Sequence, residues 1–328
     1  MFNNRRKLVT SIASLTSVTT IGLTLALAGM TSVARAGQPL PYDFPEPPPN
    51  INAGILYNQF SSAGSFYTPN GTKLGNSHIS TDVPILRYVH TFNPIDGVGW
   101  GVQIIAPDIN FLGNTRIGGV PQSVNSGFAE PQLSAFIFPY SNPTEDETVA
   151  LVYLLSPPAG AYNANRTINA ATNNIVNNVE AQYTHIVFGK PNGKRLDFQI
   201  ALDAYFYSVN GDGPSIGPFA THIHTQPAGQ VLINLPYFYH PQTDAYVGLT
   251  FEQTIGGKGY LTSKAFQSVT GIHSIDTGSR NDVTTVGVET GSFLAPTVFA
   301  LAELQTTVRV RGGFKNNVIF QIEFGKVF

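Results

Sequence analysis

Seven histidines give the first candidates for chemistry: His78, His90, His185, His222, His224, His240 and His273. A lipase-type centre would need one of them orienting a serine, and a protease-type centre would need one beside an aspartate. Neither constellation emerges. His90, His185 and His240 fall at the ends of apolar segments, where packing accounts for them. His222-Ile223-His224 can present two imidazoles on one side of an extended chain, the beginning of a metal site. No carboxylate or cysteine nearby completes it, so a solvated loop is the plainer reading. Asn210-Gly211-Asp212-Gly213 opens like a calcium loop, lacks the later ligands and reads as a turn. The sequence therefore predicts no catalytic residue, no metal and no cofactor, and it disfavours an enzyme.

The remaining polar residues of interest are charges and amides inside apolar stretches. Arg87, in Ile85-Leu86-Arg87-Tyr88, needs an anionic partner on whichever side it faces. Glu130 with Gln132, Glu180 with Gln182, Asp197, Asp203, Glu252, Glu289, Glu303, Arg309 and Glu323 recur in the same way. A spacing of two puts such residues on one face of a β-strand. Residues 195–207 show it best: Leu196, Phe198, Ile200, Leu202, Ala204 and Phe206 alternate with Arg195, Asp197, Gln199, Ala201, Asp203 and Tyr205. The first set suits hydrocarbon, where an outward Lys or Arg costs about 2–4 kcal/mol at midplane. The second set requires a polar enclosure. These charged and amide positions are the candidates for lining a lumen. Arg87 is expected to pair with Glu130 or another inward acid, either defining a constriction or holding the lumen shut.

The elements that would position them are twelve period-2 segments, predicted at 51–60, 83–92, 98–107, 128–138, 147–156, 178–188, 195–207, 230–239, 245–255, 283–292, 299–310 and 317–328. Segment 147–156 has no clean alternation. The connections alternate long and short, with 61–82, 108–127, 157–177, 208–229 and 256–282 long, and 93–97, 139–146, 189–194, 240–244 and 293–298 short. The connection near 311–316 is short and breaks the pattern. Soluble sandwiches have no reason to sort loops by length, whereas a bacterial outer-membrane barrel has short periplasmic turns and longer external loops. Closing the sheet satisfies every backbone group without a free edge. The predicted fold is an all-β transmembrane antiparallel up-and-down barrel of about twelve strands, with both termini periplasmic.

Aromatic residues cluster at the short-turn ends, among them Phe92, Trp100, Phe136, Phe138, Phe188, Phe198, Tyr237, Phe238, Tyr239, Tyr246, Phe293, Phe299 and Phe328. They are expected to form a girdle at the headgroup level. The chain ends on alternating apolar residues, with Phe324 and the terminal Phe328 resembling the signal read by the barrel assembly machinery.

Residues 1–36 read as a signal peptide, with Arg5, Arg6 and Lys7 before an apolar run and Ala34-Arg35-Ala36 as the cleavage pattern. Residues 37–50 are a proline-rich periplasmic leader, and 51–328 form the barrel. Removing those four basic residues takes the formal charge from −2 to −6, which argues against nucleic acid as a partner. The expected partners are outer-membrane lipid, the assembly machinery and a small-molecule solute. Cysteine is absent, so no disulfide supports the exported fold. Charged residues make up only 12%, and no mature stretch reaches the ~20 apolar residues of a membrane helix.

Several stretches resemble the family described as Putative MetA-pathway of phenol degradation, a set of outer-membrane barrels. They are Pro41-Tyr42-Asp43-Phe44, Ile85-Leu86-Arg87-Tyr88, Ala129-Glu130-Pro131-Gln132-Leu133, Leu155 to Tyr162, Asn173-Asn174 and the terminal strand. The resemblance implies passage of small, aromatic or hydrophobic molecules and brings no catalytic residues. Three function classes follow. The first is a passive channel, the second a barrel enzyme, and the third a structural or surface-recognition barrel with a shut lumen. The leader folding inward, or internal ion pairs, would equally close the passage.

Overall fold

The computed structural model of the chain describes residues 38–142 and 144–328, so the expected signal peptide lies outside the described residues. Twelve strands make one antiparallel barrel: β1 Asn52–Tyr67, β2 Ile79–Thr91, β3 Gly99–Phe111, β4 Gln132–Asn142, β5 Glu147–Ser156, β6 Val176–Gly189, β7 Arg195–Tyr207, β8 Ala228–His240, β9 Ala245–Gly256, β10 Asp282–Ala295, β11 Val298–Arg311 and β12 Gly313–Val327. Each strand pairs with its sequence neighbours, and β1 pairs with both β2 and β12. The Asn52 and Phe328 amides bond each other's carbonyls at 3.0 and 2.8 Å, which carries the seal to the last residue. Every predicted segment overlaps one of these strands, although 128–131 of the fourth lie ahead of β4, which begins at Gln132. Most strands run further than the alternation reveals; β1, for example, continues past Phe60 to Tyr67.

The short connections can turn so sharply because Asp96, Asp146, Asn192 and Asp244 adopt φ of 50°, 52°, 57° and 44°. Asn and Asp tolerate this left-handed region by bonding their own backbone. At the opposite end the long loops carry structure of their own. Asn210–Ile216, Phe219–Thr225, Gly259–Thr262 and Ile275–Asp276 form a four-stranded sheet. A short helix, α1 (Lys264–Thr270), is capped by Ser263 and by Gly271 at φ 75°. Between β11 and β12 only Gly312, at φ 68°, makes the turn.

The exterior carries Leu56, Leu86, Leu249, Leu304 and Phe324, each about half exposed. Leaving a side chain of this size in water forgoes about 1.5–3 kcal/mol, so a belt of them matches apolar surroundings. Strand β7 follows the expected faces throughout, with Arg195, Asp197, Gln199, Ala201, Asp203 and Tyr205 all buried. Strand β5 lacks alternation because its inward face is apolar too, through Ala150, Val152 and Leu154.

Two expectations are corrected. Arg309 does not line the lumen. The register between β10 and β11 slips between Thr284/Arg309 and Thr285/Thr307, so Val308 bulges and parity inverts beyond it. Arg309 is exposed, near the long-loop end of its strand, where an outward cation costs about 0–1 kcal/mol. The aromatic girdle is divided. Phe188, Tyr237, Tyr239 and Phe328 face outward, whereas Phe136, Phe138, Phe238, Tyr246 and Phe299 are buried within the barrel.

Candidate functional site: the plugged lumen

The proline-rich leader enters the barrel from the short-turn end. Pro48 lies at that rim, where its carbonyl accepts from Thr91 Oγ1 at 2.7 Å. Further inside, Pro41–Asp43 form one 3-10 turn. Asp43 folds this turn by accepting from the Leu40 amide at 3.0 Å, while its own amide bonds the Leu40 carbonyl at 2.8 Å. The same carboxylate takes a two-pronged ion pair from Arg87, with Nη1–Oδ2 at 3.0 Å and Nη2–Oδ1 at 2.9 Å. Arg87 Nε then donates to Gln103 at 2.7 Å, and Gln103 to Ser134 at 3.3 Å. The partner of Arg87 is thus the leader's Asp43 and not Glu130. Across the lumen, Gln199 donates to the Pro41 carbonyl at 3.1 Å, and Phe44 is buried against Ala201 and Leu232.

Tyr42 fills an aromatic cage. Its ring centroid lies 5.1 Å from Phe293, 5.5 Å from Tyr246, 5.8 Å from Phe299 and 6.4 Å from Phe238. Its hydroxyl donates to the Asp244 carbonyl at 2.7 Å. Burial first, and then the Asp244 charge, raise the Tyr42 pKa above the ordinary phenol value, so the hydroxyl keeps its proton and remains a donor. Behind the cage, Arg195 lies 4.0 Å over the Phe238 ring. Its guanidinium gathers Asp146 at 3.1 Å, Asp197 at 3.2 Å and Asp244 at 3.4 Å. This hub ties two short turns to the wall. Small neighbours make room for the rings. Phe299 pairs directly with Gly325, where a Cβ would lie 2.0 Å from the ring, and Phe136 pairs with Gly101, where it would lie 2.4 Å away.

Beside the leader is a cavity of ≈ 570 Å³, lined by Phe136, Phe138, Val152 and Leu154 together with Arg87, Glu180 and Glu323. Ligand sites of about 300–1,000 Å³ with apolar walls and a few fixed polar groups are common. The other predicted lining residues continue along the barrel interior. Glu180, Gln182, Asp197, Asp203, Glu252, Glu289 and Glu323 are buried, and Arg87, Gln132 and Glu303 are half-buried. Glu180 stands directly opposite Asp203, and Glu289 opposite Glu303. Amides rather than cations serve three of these acids: Gln182 donates to Glu180, Asn178 to Asp203 at 2.8 Å, and Gln305 to Glu303.

At the long-loop end the loops are knotted together. Glu130 Oε1 accepts from Thr172 Oγ1 and from the Asn173 amide, both at 2.9 Å. The Ala161 amide bonds the Phe128 carbonyl, and Asn210 bonds the Thr172 carbonyl at 3.0 Å. Ala129 and Ala170, nearly solvent-free, pack with Ile85 and Ile105 of the barrel wall. Glu130 is therefore a loop pin. The short motifs quoted above meet in two places, Tyr42-Asp43 on Arg87 and Glu130 on Asn173. His222 and His224 stand exposed on one strand face, and among the described residues no three His, Asp or Glu side chains converge as a metal site.

A closed barrel with an apolar belt, a polar interior and an inward-folded leader defines the class: a β-barrel of the outer-membrane type. The family described as Putative MetA-pathway of phenol degradation matches residues 63–324, and the chain belongs to it. Among solved structures, it is similar to the COG4313 outer membrane channel from Pseudomonas putida F1. That likeness has 20% identity over 89% of this chain and 100% of that one, with a TM-score of 0.73. It is also similar to the transport unit of the autotransporter AIDA-I from Escherichia coli, with 9% identity over 93% and 99% of the two chains and a TM-score of 0.53. These structures are channel and transport barrels rather than enzymes. A comparison with the curated proteins found no match.

Proposed function

We propose that the protein is an outer-membrane channel for small aromatic or apolar solutes, moving passively down their gradients. One observation carries this reading. The ≈ 570 Å³ cavity combines an apolar wall of Phe136, Phe138, Val152 and Leu154 with a few charged groups. Such walls take up a ring while Arg87 and Glu180 orient its polar substituent. The remaining polar positions of the interior would line the path once the leader withdraws. Export through residues 1–36, and insertion guided by the outward Phe324 and Phe328, belong to the same proposal.

Swelling of proteoliposomes tests it. Aryl glycosides and neutral phenols should enter faster than sugars of equal size. The filled interior favours the rival reading of a shut structural barrel, and entry no faster than into protein-free vesicles would establish that rival instead.

A further inference from the structure

Every contact that Tyr42 makes in its cage comes from the barrel. Phe238, Tyr246, Phe293 and Phe299 stand on β8, β9, β10 and β11, and the hydroxyl's acceptor is a main-chain carbonyl in the turn between β8 and β9. The leader supplies only the ring. The site is thus complete before Tyr42 arrives, and what it receives is a phenol on a tether.

We infer that this cage is a binding site for a free, neutral phenolic ring, and that Tyr42 is its resident competitor. The inference rests on the channel reading and names the solute class. Edge-to-face ring pairs add about 0.5–1.5 kcal/mol each beyond burial. The carbonyl selects a hydroxyl donor over a bare ring, and the neighbouring Asp244 carboxylate repels a phenolate. A free phenol reaches the site only in the fraction of molecules whose Tyr42 has left, so its apparent affinity is divided by that fraction.

The test uses the whole mature chain in detergent, with p-cresol, the tyrosine side chain cut at Cβ, as the probe. Y42A empties the cage while Asp43 still holds Arg87. Calorimetry should show saturable one-to-one binding of p-cresol to Y42A, at least tenfold tighter than to wild type. Toluene should bind Y42A about three- to tenfold more weakly, the worth of one neutral hydrogen bond. Y42F, which keeps the ring and loses the hydroxyl, should yield to p-cresol at lower concentration than wild type. Equal binding to Y42A and wild type, or toluene matching p-cresol, would overturn the inference. Vesicle entry without p-cresol binding to Y42A removes the cage alone. Binding without entry removes the channel reading and leaves the cage.

Discussion

The Asp43–Arg87 pair joins the leader to the barrel wall through two parallel N–H···O contacts of 2.9 and 3.0 Å. Hydrogen bonds to charged groups contribute about 1.5–3 kcal/mol each to such a docked state. Arg87→Ala should therefore shift the leader toward release by roughly tenfold or more, and single-channel conductance in planar bilayers should rise in step. Unchanged conductance would remove the pair from any closing role. Arg87 was legible in the sequence because a guanidinium amid Ile85, Leu86 and Tyr88 must find an anion. Its partner was not, since Asp43 lies in a proline-rich stretch without periodicity and could not be placed on any face. Arg309 misled for a different reason. Alternation is read by counting in twos, and one bulged residue at Val308 reverses every later assignment on the strand.

At the scale of elements, the leader is held by the wall at Arg87, Gln199 and Thr91, while the strands hold one another by their own ladders. Deleting residues 39–48 should leave a folded, heat-modifiable barrel on gels and a conductance well above wild type. A barrel that fails to fold would make the leader part of the core instead. The glycine–aromatic pairs carry a second expectation. Gly325→Ala places a Cβ 2.0 Å from the Phe299 ring, which must turn into the cage. Such overpacking typically costs about 1–3 kcal/mol and should lower the melting temperature, measured by tryptophan fluorescence or calorimetry. The twelve strands were legible because period-2 alternation survives wherever one face meets hydrocarbon. The inward aromatics were not, because a ring facing headgroups and a ring facing a neighbour's glycine occupy the same kind of sequence position.

For the whole molecule, the interior charge is lopsided. Glu180, Asp203, Glu252, Glu289, Glu303 and Glu323 face inward with Asp197, against Arg87 and Arg195. A lumen lined this way attracts cations and repels anions over distances within a Debye length. Reversal potentials of the leader-deleted barrel in a potassium chloride gradient should report cation preference, stronger at low salt. Anion preference would mean that the acid wall lies off the conducting path. The alternating loop lengths made the barrel's polarity readable in advance. The knot between loops was hidden, because Glu130 and Asn173 are separated by two strands and no local pattern links them.

Pro39 and Leu40 lie inside the barrel, with the Pro39 carbonyl beside Asn234 of β8. Anything fused directly ahead of Gln38 therefore shares that confined space. On a chain cut at the proposed Ala36–Gly37 site, a purification tag joined to the new end would wedge the leader out, and the preparation would look open for reasons belonging to the tag. Affinity handles are better inserted in the turn around Gly71, where the surroundings are empty and the interior is left as the chain itself arranges it.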